Sequence, residues 1–177
     1  EASHHVRRVA NISYELAKKI GLDEREATLI RNASPMHDVG KIGIPDSVLL
    51  KTDNLSDDEF QKMKQHTNIG RDILAHSQRE VLKAAAIIAY EHHEKWDGSG
   101  YPRGLKAEDI HIYGRITAVA DVFDALLHKR CYKDPWPIDD VVEYIKLEKG
   151  RHFDPKLVDV LLNDIELFKA IESDGED

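Results

Sequence analysis

The sequence predicts an all-α protein, and three observations lead to that prediction. Apolar residues recur at the i, i+3, i+4 spacing of an amphipathic helix in one segment after another. Helix-start signals, a Ser or Asp followed three residues later by Glu, precede two of these segments. No segment shows the sustained alternation of apolar and polar residues that is typical of a half-buried strand. With 177 residues, of which 41% are hydrophobic, the chain is expected to form one domain with a buried core.

The first two predicted helices lead to a short polar motif. Apolar or small residues from Val6 to Ile20 form one face of the first helix, and Gly21 supplies its C-terminal stop. Asp23 begins the second helix, because its side chain can cap the first turn. Pro35 removes a backbone donor and clashes with the preceding turn, so we expect this helix to kink or end just before the motif.

The next part of the chain is predicted to be a loop followed by helix. Residues 39–55 are expected to be mostly loop, with a short helical turn that Asp46 caps. Ser56 opens a helix that leads to His66, because its hydroxyl and a Glu three residues later form a capping box. Thr67 is predicted to cap a further helix.

The second half of the chain is predicted to contain four helices and one glycine-rich loop. A strongly apolar helix covers 81–93, the glycine-rich loop covers 96–104, and a long helix covers about 114–128. Pro137 and Pro155 each stand at the start of another helix, where a missing N–H costs little. The prediction is therefore a helical bundle of about seven or eight helices.

The domain is predicted to cover residues 1–171, and the acidic residues 172–177 are predicted to form a disordered tail. The chain starts at Glu1 without an initiator methionine and already in helical phase. This start predicts a longer protein with an upstream sensory or receiver domain.

Composition excludes two classes of partner. Long nucleic acid and anionic membranes need a basic face, whereas the formal net charge here is −8. No apolar run approaches the about 20 residues of a membrane span. The single cysteine, Cys131, excludes an internal disulfide and fits a reducing compartment. We therefore expect a cytoplasmic domain that contacts neither long nucleic acid nor a membrane.

Metal-ligand residue types recur at helix ends and on inner helix faces. His37 and Asp38 stand together where helical periodicity gives way to a glycine-punctuated chain. One such pair is more often a helix-end hydrogen bond than a ligand pair. Many unpaired polar groups in one core, however, would carry desolvation penalties of several kcal/mol unless something bound them. The predicted metal ligands are Glu1, His5, His37, Asp38, His66, His92, His93 and Asp121.

This ligand set indicates a site for two or three divalent metal ions. Histidine with carboxylate suits iron or manganese, and also zinc, nickel, cobalt or magnesium, rather than calcium. Two cations about 3.5–4 Å apart can share a water, lower its pKa and clamp a phosphate, so the pattern predicts phosphodiester hydrolysis by a bridging hydroxide. Asp38 is the expected bridging ligand and Lys41 the expected phosphate contact. Arg130 and Lys133 are further candidates for binding phosphate or a base edge.

With these residues in view, the chain resembles the HD-GYP family of bacterial cyclic di-GMP phosphodiesterases, which belongs to the HD metal-dependent phosphohydrolase superfamily. The motifs occur in the family's order along the whole chain. Two departures, Pro35 and the segment 127–129, affect local geometry and remove no predicted ligand. The matching pieces are His37 to Asp46, Lys64 to His66, His92 to Glu94, Trp96 to Pro102, Arg115 to Asp121 and Phe153 to Pro155.

The resemblance implies an HD-domain bundle with a Gly-Tyr-Pro loop and hydrolysis of cyclic di-GMP to linear pGpG, with GMP as a further product in some members. It also implies the ligand set given above, with Glu1 at a position associated with a third metal. Lys41, Asp124, Arg130 and Lys133 match nucleotide-contacting positions. Tyr101 and its loop are implied to shape the site or to bind a protein partner.

Three alternatives stay open at this point. The substrate could be a mixed cyclic GMP-AMP dinucleotide, because no base-reading residue is evident in the sequence. The domain could instead be a non-catalytic regulatory module that binds metal and a protein partner through the Gly-Tyr-Pro loop. An oxygen-activating di-iron protein is the third alternative, although the chain lacks the two Glu-x-x-His pairs that are usual in such bundles.

Overall fold

Helices make up the architecture of this computed structural model, which describes residues 1–128 and 133–173. These ranges contain nine α-helices and no strand, so the all-α prediction is confirmed. The helices are α1 (Ala2–Lys19), α2 (Glu24–Ala33), α3 (Asp46–Leu49), α4 (Asp57–Leu74), α5 (Glu80–Glu91), α6 (Ile112–Leu127), α7 (Ile138–Leu147), α8 (Pro155–Asn163) and α9 (Ile165–Ser173).

The core lies between α1, α2, α5 and α6, with α8 and α9 closing one side. Ile12, Ile88, Ile116 and Phe123 are fully buried there. Burying a side chain of this size stabilises the fold by about 1.5–3 kcal/mol. Of these helices, α1, α5 and α6 carry predicted metal ligands at their ends or on their inner faces, so the core also fixes the positions of those ligands.

Local cap signals predicted several helix boundaries. The Asp23 side chain accepts a hydrogen bond from the backbone N–H of Glu26 at 2.8 Å. Ser56 and Glu59 form the predicted capping box. At Pro35, α2 has already ended and a 3-10 turn, Ser34–Met36, continues the chain. These boundaries depend on contacts within about four residues, which is why local sequence was sufficient.

Three details of the predicted helix boundaries differ from the structure. Thr67 does not cap a new helix; α4 runs through it, and its hydroxyl donates to the Lys64 carbonyl at 2.8 Å. The single helix predicted after Asp154 is instead divided at Asp164 into α8 and α9. Asp46 does not cap the short turn as predicted: it is the first residue of α3, Pro45 is the N-cap, and no side chain caps the helix. The first two differences cancel in the helix count, so the one-turn α3 brings it to nine, above the expected seven or eight.

The C-terminal boundary lies close to the predicted one. Helix α9 extends to Ser173, and Glu172 is only 6% exposed, so the first two residues of the predicted tail are helical. Residues 174–177 lie outside the described part of the chain. None of the described helices combines the length and apolar character needed to cross a membrane.

Candidate metal centre

Side chains from five separate segments meet at one end of the core. Helix α1 contributes His5, the junction of two 3-10 turns contributes His37 and Asp38, and the remaining ligands come from α4, the end of α5 and α6. Within each of two groups, the potential ligand atoms all lie within 4.8 Å of one another. The first ligand group is Asp38, His66, His92 and His93, and the second ligand group is His5, His37 and Asp121.

Asp38 lies between the two ligand groups. Its Oδ1 is 3.5 Å from Nε2 of His66 and 3.4 Å from Nε2 of His92. Its Oδ2 is 3.3 Å from Nε2 of His37 in the second group. The side chain is 33% exposed, so it is also open to solvent. This position fits the bridging carboxylate that the sequence predicted.

The buried histidines present one nitrogen to the cavity and anchor the other. In His37, His66 and His92, Nδ1 lies 2.6–2.9 Å from a backbone carbonyl oxygen three or four residues earlier. In the neutral ring, this contact favours the tautomer in which Nδ1 donates and Nε2 carries the lone pair. Nε2 of all three rings is buried without a hydrogen-bond partner. Each such atom costs about 1–3 kcal/mol, so the set fits a divalent cation that these lone pairs would bind.

The electrostatic environment differs between the groups. Burial lowers the pKa of His66, and burial together with the neighbouring histidines lowers the pKa of His93 well below 6.5. Burial opposes the charged form of His5 as well, but Asp121 and Asp124 raise the pKa of His5 to about 9. For His37 the effect of Asp121 and Asp38 likewise exceeds that of burial and raises the pKa well above 6.5.

A close backbone approach brings Asp38 to His66. The 3-10 turn Val39–Gly43 packs directly against α4. A Cβ at Gly40 would stand 1.9 Å from the His66 carbonyl oxygen and 2.5 Å from the Gly70 nitrogen. Only glycine fits this contact, which explains the glycine two residues after Asp38.

Glu1 lies outside both ligand groups. Its Oε1 accepts a hydrogen bond from Nη2 of Arg8 at 2.7 Å, and its side chain is 58% exposed. Glu1 and His5 are one helical turn apart, but Glu1 is not among the potential ligand atoms grouped with His5, because Arg8 pairs with the Glu1 carboxylate. The role of Glu1 as a ligand of a third metal stays a prediction.

Asp124 supports the second ligand group from the protein interior. It is 1% exposed, and its Oδ2 accepts a hydrogen bond from Nδ1 of His5. Its Oδ1 accepts one from Nε of Arg8 at 2.6 Å. A carboxylate behind a histidine orients the ring and increases its basicity. The predicted nucleotide contact of Asp124 stays a prediction; the partners that the structure gives this carboxylate include Arg8, His5 and His128.

Sequence reasoning missed the buried charges around Arg8. Arg8 is 4% exposed, and its Nε is 3.7 Å from Oε2 of Glu172. Burial and the Asp124 carboxylate raise the pKa of Glu172 to about 9, and Glu172 also contacts His128. Asp124, His128 and Glu172 could by their spacing hold an ion, but the Arg8 guanidinium already supplies the positive charge there. One signal in the sequence was that Arg8 lies four and eight positions before the apolar residues Ile12 and Leu16, which places it on the inner face of the first helix.

The Gly-Tyr-Pro loop, residues 96–104, is held against the end of α5. The buried Glu94 carboxylate accepts backbone hydrogen bonds from residues 103, 104 and 105 at 2.7, 3.0 and 2.9 Å. The Tyr101 N–H donates to the His93 carbonyl at 3.1 Å, and the two rings stack with centroids 4.8 Å apart. A Cβ at Gly100 would stand 2.4 Å from the same carbonyl oxygen. Glu94 belongs to the motif His92 to Glu94, but the sequence predicted no role for it.

The predicted cationic contacts fall in different places. Nζ of Lys41 is 3.1 Å from Oδ2 of Asp38, and its side chain is 41% exposed, so it lies at the opening of the centre. Lys133 is exposed. Arg130 lies outside the described residues.

Comparison with known proteins gives matches along most of the chain. The family model described as "HD domain" matches residues 1–157. A "3'3'-cGAMP-specific phosphodiesterase 2" of Vibrio cholerae is 52% identical over 173 residues, which are 98% of this chain and 33% of the relative. The "Cyclic di-GMP phosphodiesterase response regulator RpfG" of Xanthomonas campestris is 48% identical over 90% of this chain and 42% of its own length. A "Cyclic di-GMP phosphodiesterase" of Thermotoga maritima is 47% identical over 92% of this chain and 44% of its own length. The chain thus spans less than half of each of these relatives.

Two solved structures share the fold. One is a cyclic GMP-AMP specific phosphodiesterase of V. cholerae, V-cGAP3, with a TM-score of 0.71 and 21% identity over 98% of this chain and 48% of that one. The other is Bd1817, an HD-GYP type protein from Bdellovibrio bacteriovorus, also with a TM-score of 0.71 and 21% identity, over 94% of this chain and 53% of that one.

Proposed function

We propose that this chain, which belongs to the HD domain family and carries the motifs of its HD-GYP group, is a metal-dependent phosphodiesterase that hydrolyses cyclic di-GMP. One observation carries the proposal: Asp38 belongs to the first group of potential ligand atoms and lies 3.3 Å from His37 of the second, and three buried imidazole nitrogens of the two groups have no hydrogen-bond partner. Such an arrangement suits two neighbouring cations and a phosphate between them.

The first ligand group would hold one divalent ion and the second another, with Asp38 common to both. We propose iron or manganese, because imidazole and carboxylate suit these ions, while zinc, nickel, cobalt and magnesium share the same ligand chemistry in part. A third ion would require Glu1 to leave Arg8. Bound cations supply Lewis acidity toward a phosphate oxygen and lower the pKa of water.

The protein's own residues have three tasks around the reacting phosphate. The backbone carbonyls that anchor Nδ1 of His37, His66 and His92 keep the Nε2 lone pairs aimed at the cavity. The Lys41 ammonium, at the opening, would bind a phosphate oxygen and balance its charge. Tyr101, stacked on His93, would line the substrate side and exclude water.

Cyclic di-GMP hydrolysis would give linear pGpG, with GMP as a further product. The relatives from X. campestris and T. maritima, whose names specify cyclic di-GMP, support this substrate. The second candidate is a mixed cyclic GMP-AMP dinucleotide, which the name of the 52% identical V. cholerae relative favours.

We also propose that the chain is the catalytic part of a longer protein. The three relatives extend well beyond the matched region, which supports further domains in the full-length protein. We propose that these include an upstream sensory or receiver domain. The Gly-Tyr-Pro loop would be available to a protein partner. The cytoplasmic location stays a prediction.

The test is elemental analysis of protein purified without chelators, together with chromatographic identification of products from the two cyclic dinucleotides. We expect at least two divalent ions per chain and pGpG from cyclic di-GMP. Much faster turnover of the mixed dinucleotide than of cyclic di-GMP would make the mixed dinucleotide the substrate instead. Metal-loaded protein that cleaves neither under anaerobic conditions would instead indicate the regulatory module, and oxygen consumption without ester cleavage would indicate the di-iron alternative.

A further inference from the structure

We propose that Phe60 and Lys64 form, with Tyr101, a purine-binding subsite next to the metal centre, in which Lys64 selects guanine. The inference rests on the proposed function, because the purine is one base of the cyclic dinucleotide substrate. It adds Phe60, which lies outside the motifs and the ligand groups, and it gives a role to Lys64, which the motif Lys64 to His66 contains without one.

A row of aromatic rings leads from the buried ligands to the surface. The rings of His66 and His93 have centroids 5.0 Å apart. His93 stacks on Tyr101 at 4.8 Å and 15°. Tyr101 in turn meets Phe60 edge to face, at 6.0 Å and 84°. The row therefore ends on a ring that directly adjoins the site and is not part of the core.

Phe60 is unusually exposed for its size. Its relative accessibility is 42%, although it lies on the same helix, α4, that carries the buried ligand His66. A single exposed apolar side chain is common on protein surfaces. This one is packed against a partly buried tyrosine of the site, where a planar ligand would cover it. Stacking on aromatic side chains suits any nucleobase, because every base has a π face.

Lys64 adds a positive charge to the same surface. It lies one helical turn after Phe60, and its Nζ is 4.8 Å from the Phe60 ring centroid and 5.2 Å from the Tyr101 centroid. Within the described ranges, no carboxylate oxygen lies within 4.0 Å of this ammonium. Lys51, by contrast, pairs with Glu59 at 2.6 Å. The two rings thus hold Lys64 in place while its donors remain available to a ligand.

The chemistry of lysine indicates guanine at this position. The ammonium group is a donor only. Guanine presents two adjacent acceptors, O6 and N7, on one edge, whereas adenine presents a donor, the N6 amino group, beside N7. Lys64 would therefore bind guanine with both acceptors and meet an unfavourable donor on adenine. Cyclic di-GMP and the mixed dinucleotide each contain a guanine, but cyclic di-AMP contains none.

The experiment compares KM and kcat of the metal-loaded protein for cyclic di-GMP and cyclic di-AMP in the wild type, Phe60→Ala, Phe60→Leu and Lys64→Met. Phe60→Ala is expected to raise KM for both substrates about tenfold, through lost stacking. Phe60→Leu keeps apolar area without an aromatic face, so its KM should lie between that of the wild type and that of Phe60→Ala. Lys64→Met should raise KM for cyclic di-GMP only. Metal content and circular dichroism should match the wild type throughout.

Two matched controls lie on the same helix. Ile73→Ala removes an apolar side chain that is 48% exposed, and Lys62→Met removes an exposed lysine; neither should change KM. A wild type that cleaves cyclic di-GMP while Phe60→Ala and Lys64→Met behave like these controls would overturn the subsite alone. An equal rise in KM for both substrates in Lys64→Met would indicate a phosphate contact and overturn the selection of guanine. A fully metal-loaded wild type that cleaves no cyclic dinucleotide would overturn the proposed function itself.

Discussion

The two ligand groups of the centre differ in how far the protein satisfies them by itself. In the first group, His66 and His92 leave Nε2 buried without a partner, and the pKa of His66 is lowered, so its ring is neutral and ready to bind. In the second group, His5 contacts two carboxylates, Asp121 and Asp124, and its pKa is raised to about 9.

This difference indicates that the two positions have different affinities for a cation. At the first group a cation relieves a desolvation cost that is already present in the fold. At the second group a cation must first displace protons that the carboxylates hold on the histidines, which reduces its apparent affinity at neutral pH. We therefore expect the first group to bind its ion more tightly, although Asp38 adjoins both groups.

The largest effect is expected for Asp38→Ala, which removes the carboxylate that belongs to the first group and adjoins His37 of the second. Turnover should fall by more than about a hundredfold, because even residues behind the ligands cost about 10- to 100-fold. Bound metal should fall at both positions. Steady-state kinetics measures the turnover and elemental analysis measures the bound metal. The matched control is Asp72→Ala, which changes an exposed aspartate. If Asp38→Ala still binds two ions, Asp38 is not the bridging ligand.

Lys41→Ala separates substrate binding from metal binding. Its ammonium is 3.1 Å from Asp38 but is not a metal ligand, so turnover should fall by about a hundredfold while both ions stay bound. The same two measurements apply, with Lys62→Ala as the control. If bound metal disappears with the turnover, Lys41 instead stabilises the ligand arrangement and its assigned role is wrong.

Asp124→Asn should affect the second group alone. It weakens the hydrogen bond that orients His5 and leaves the buried Arg8 with less compensating charge. We expect about 10- to 100-fold weaker binding of one ion and an unchanged first ion. Isothermal titration calorimetry of metal-free protein with Mn²⁺ resolves the binding of the two ions. Equal weakening of both ions would contradict the separation of the groups, and higher KM with normal metal content would support the nucleotide contact instead.

The smallest effect concerns pH in the metal-free protein. A histidine whose folded pKa lies above its unfolded value of 6.5 stabilises the fold fully below about pH 6.5 and loses that contribution as pH rises through the folded pKa, about 9 for His5. Imidazole NMR signals should therefore show His5 protonated at pH 7.5 and His66 neutral at the same pH. The variant His5→Gln assigns the signal. Titration of His5 near pH 6.5 would mean that the two groups are electrostatically alike.

Local sequence was enough for the elements and for the types of ligand. The caps at Asp23 and Ser56 and the break at Pro35 each depend on neighbours within one turn, so their patterns predicted the boundaries. The same applies to His37 and Asp38, which lie where a helix gives way to glycine-rich chain. Whether a helix continues past a capping residue was harder to predict. The sequence predicted a new helix at Thr67, whereas the Thr67 hydroxyl bonds within α4 and the helix continues.

What the sequence by itself determined was an all-α chain whose histidines and aspartates recur at helix ends. Only the tertiary structure decided how they divide into two groups and which residues support them. Arg8 and Asp124 are 116 positions apart, and Arg8 and Glu172 meet only when α1 and α9 pack together. No periodic pattern encodes such contacts, because burial in a shared core, rather than local spacing, makes a buried charge require a partner.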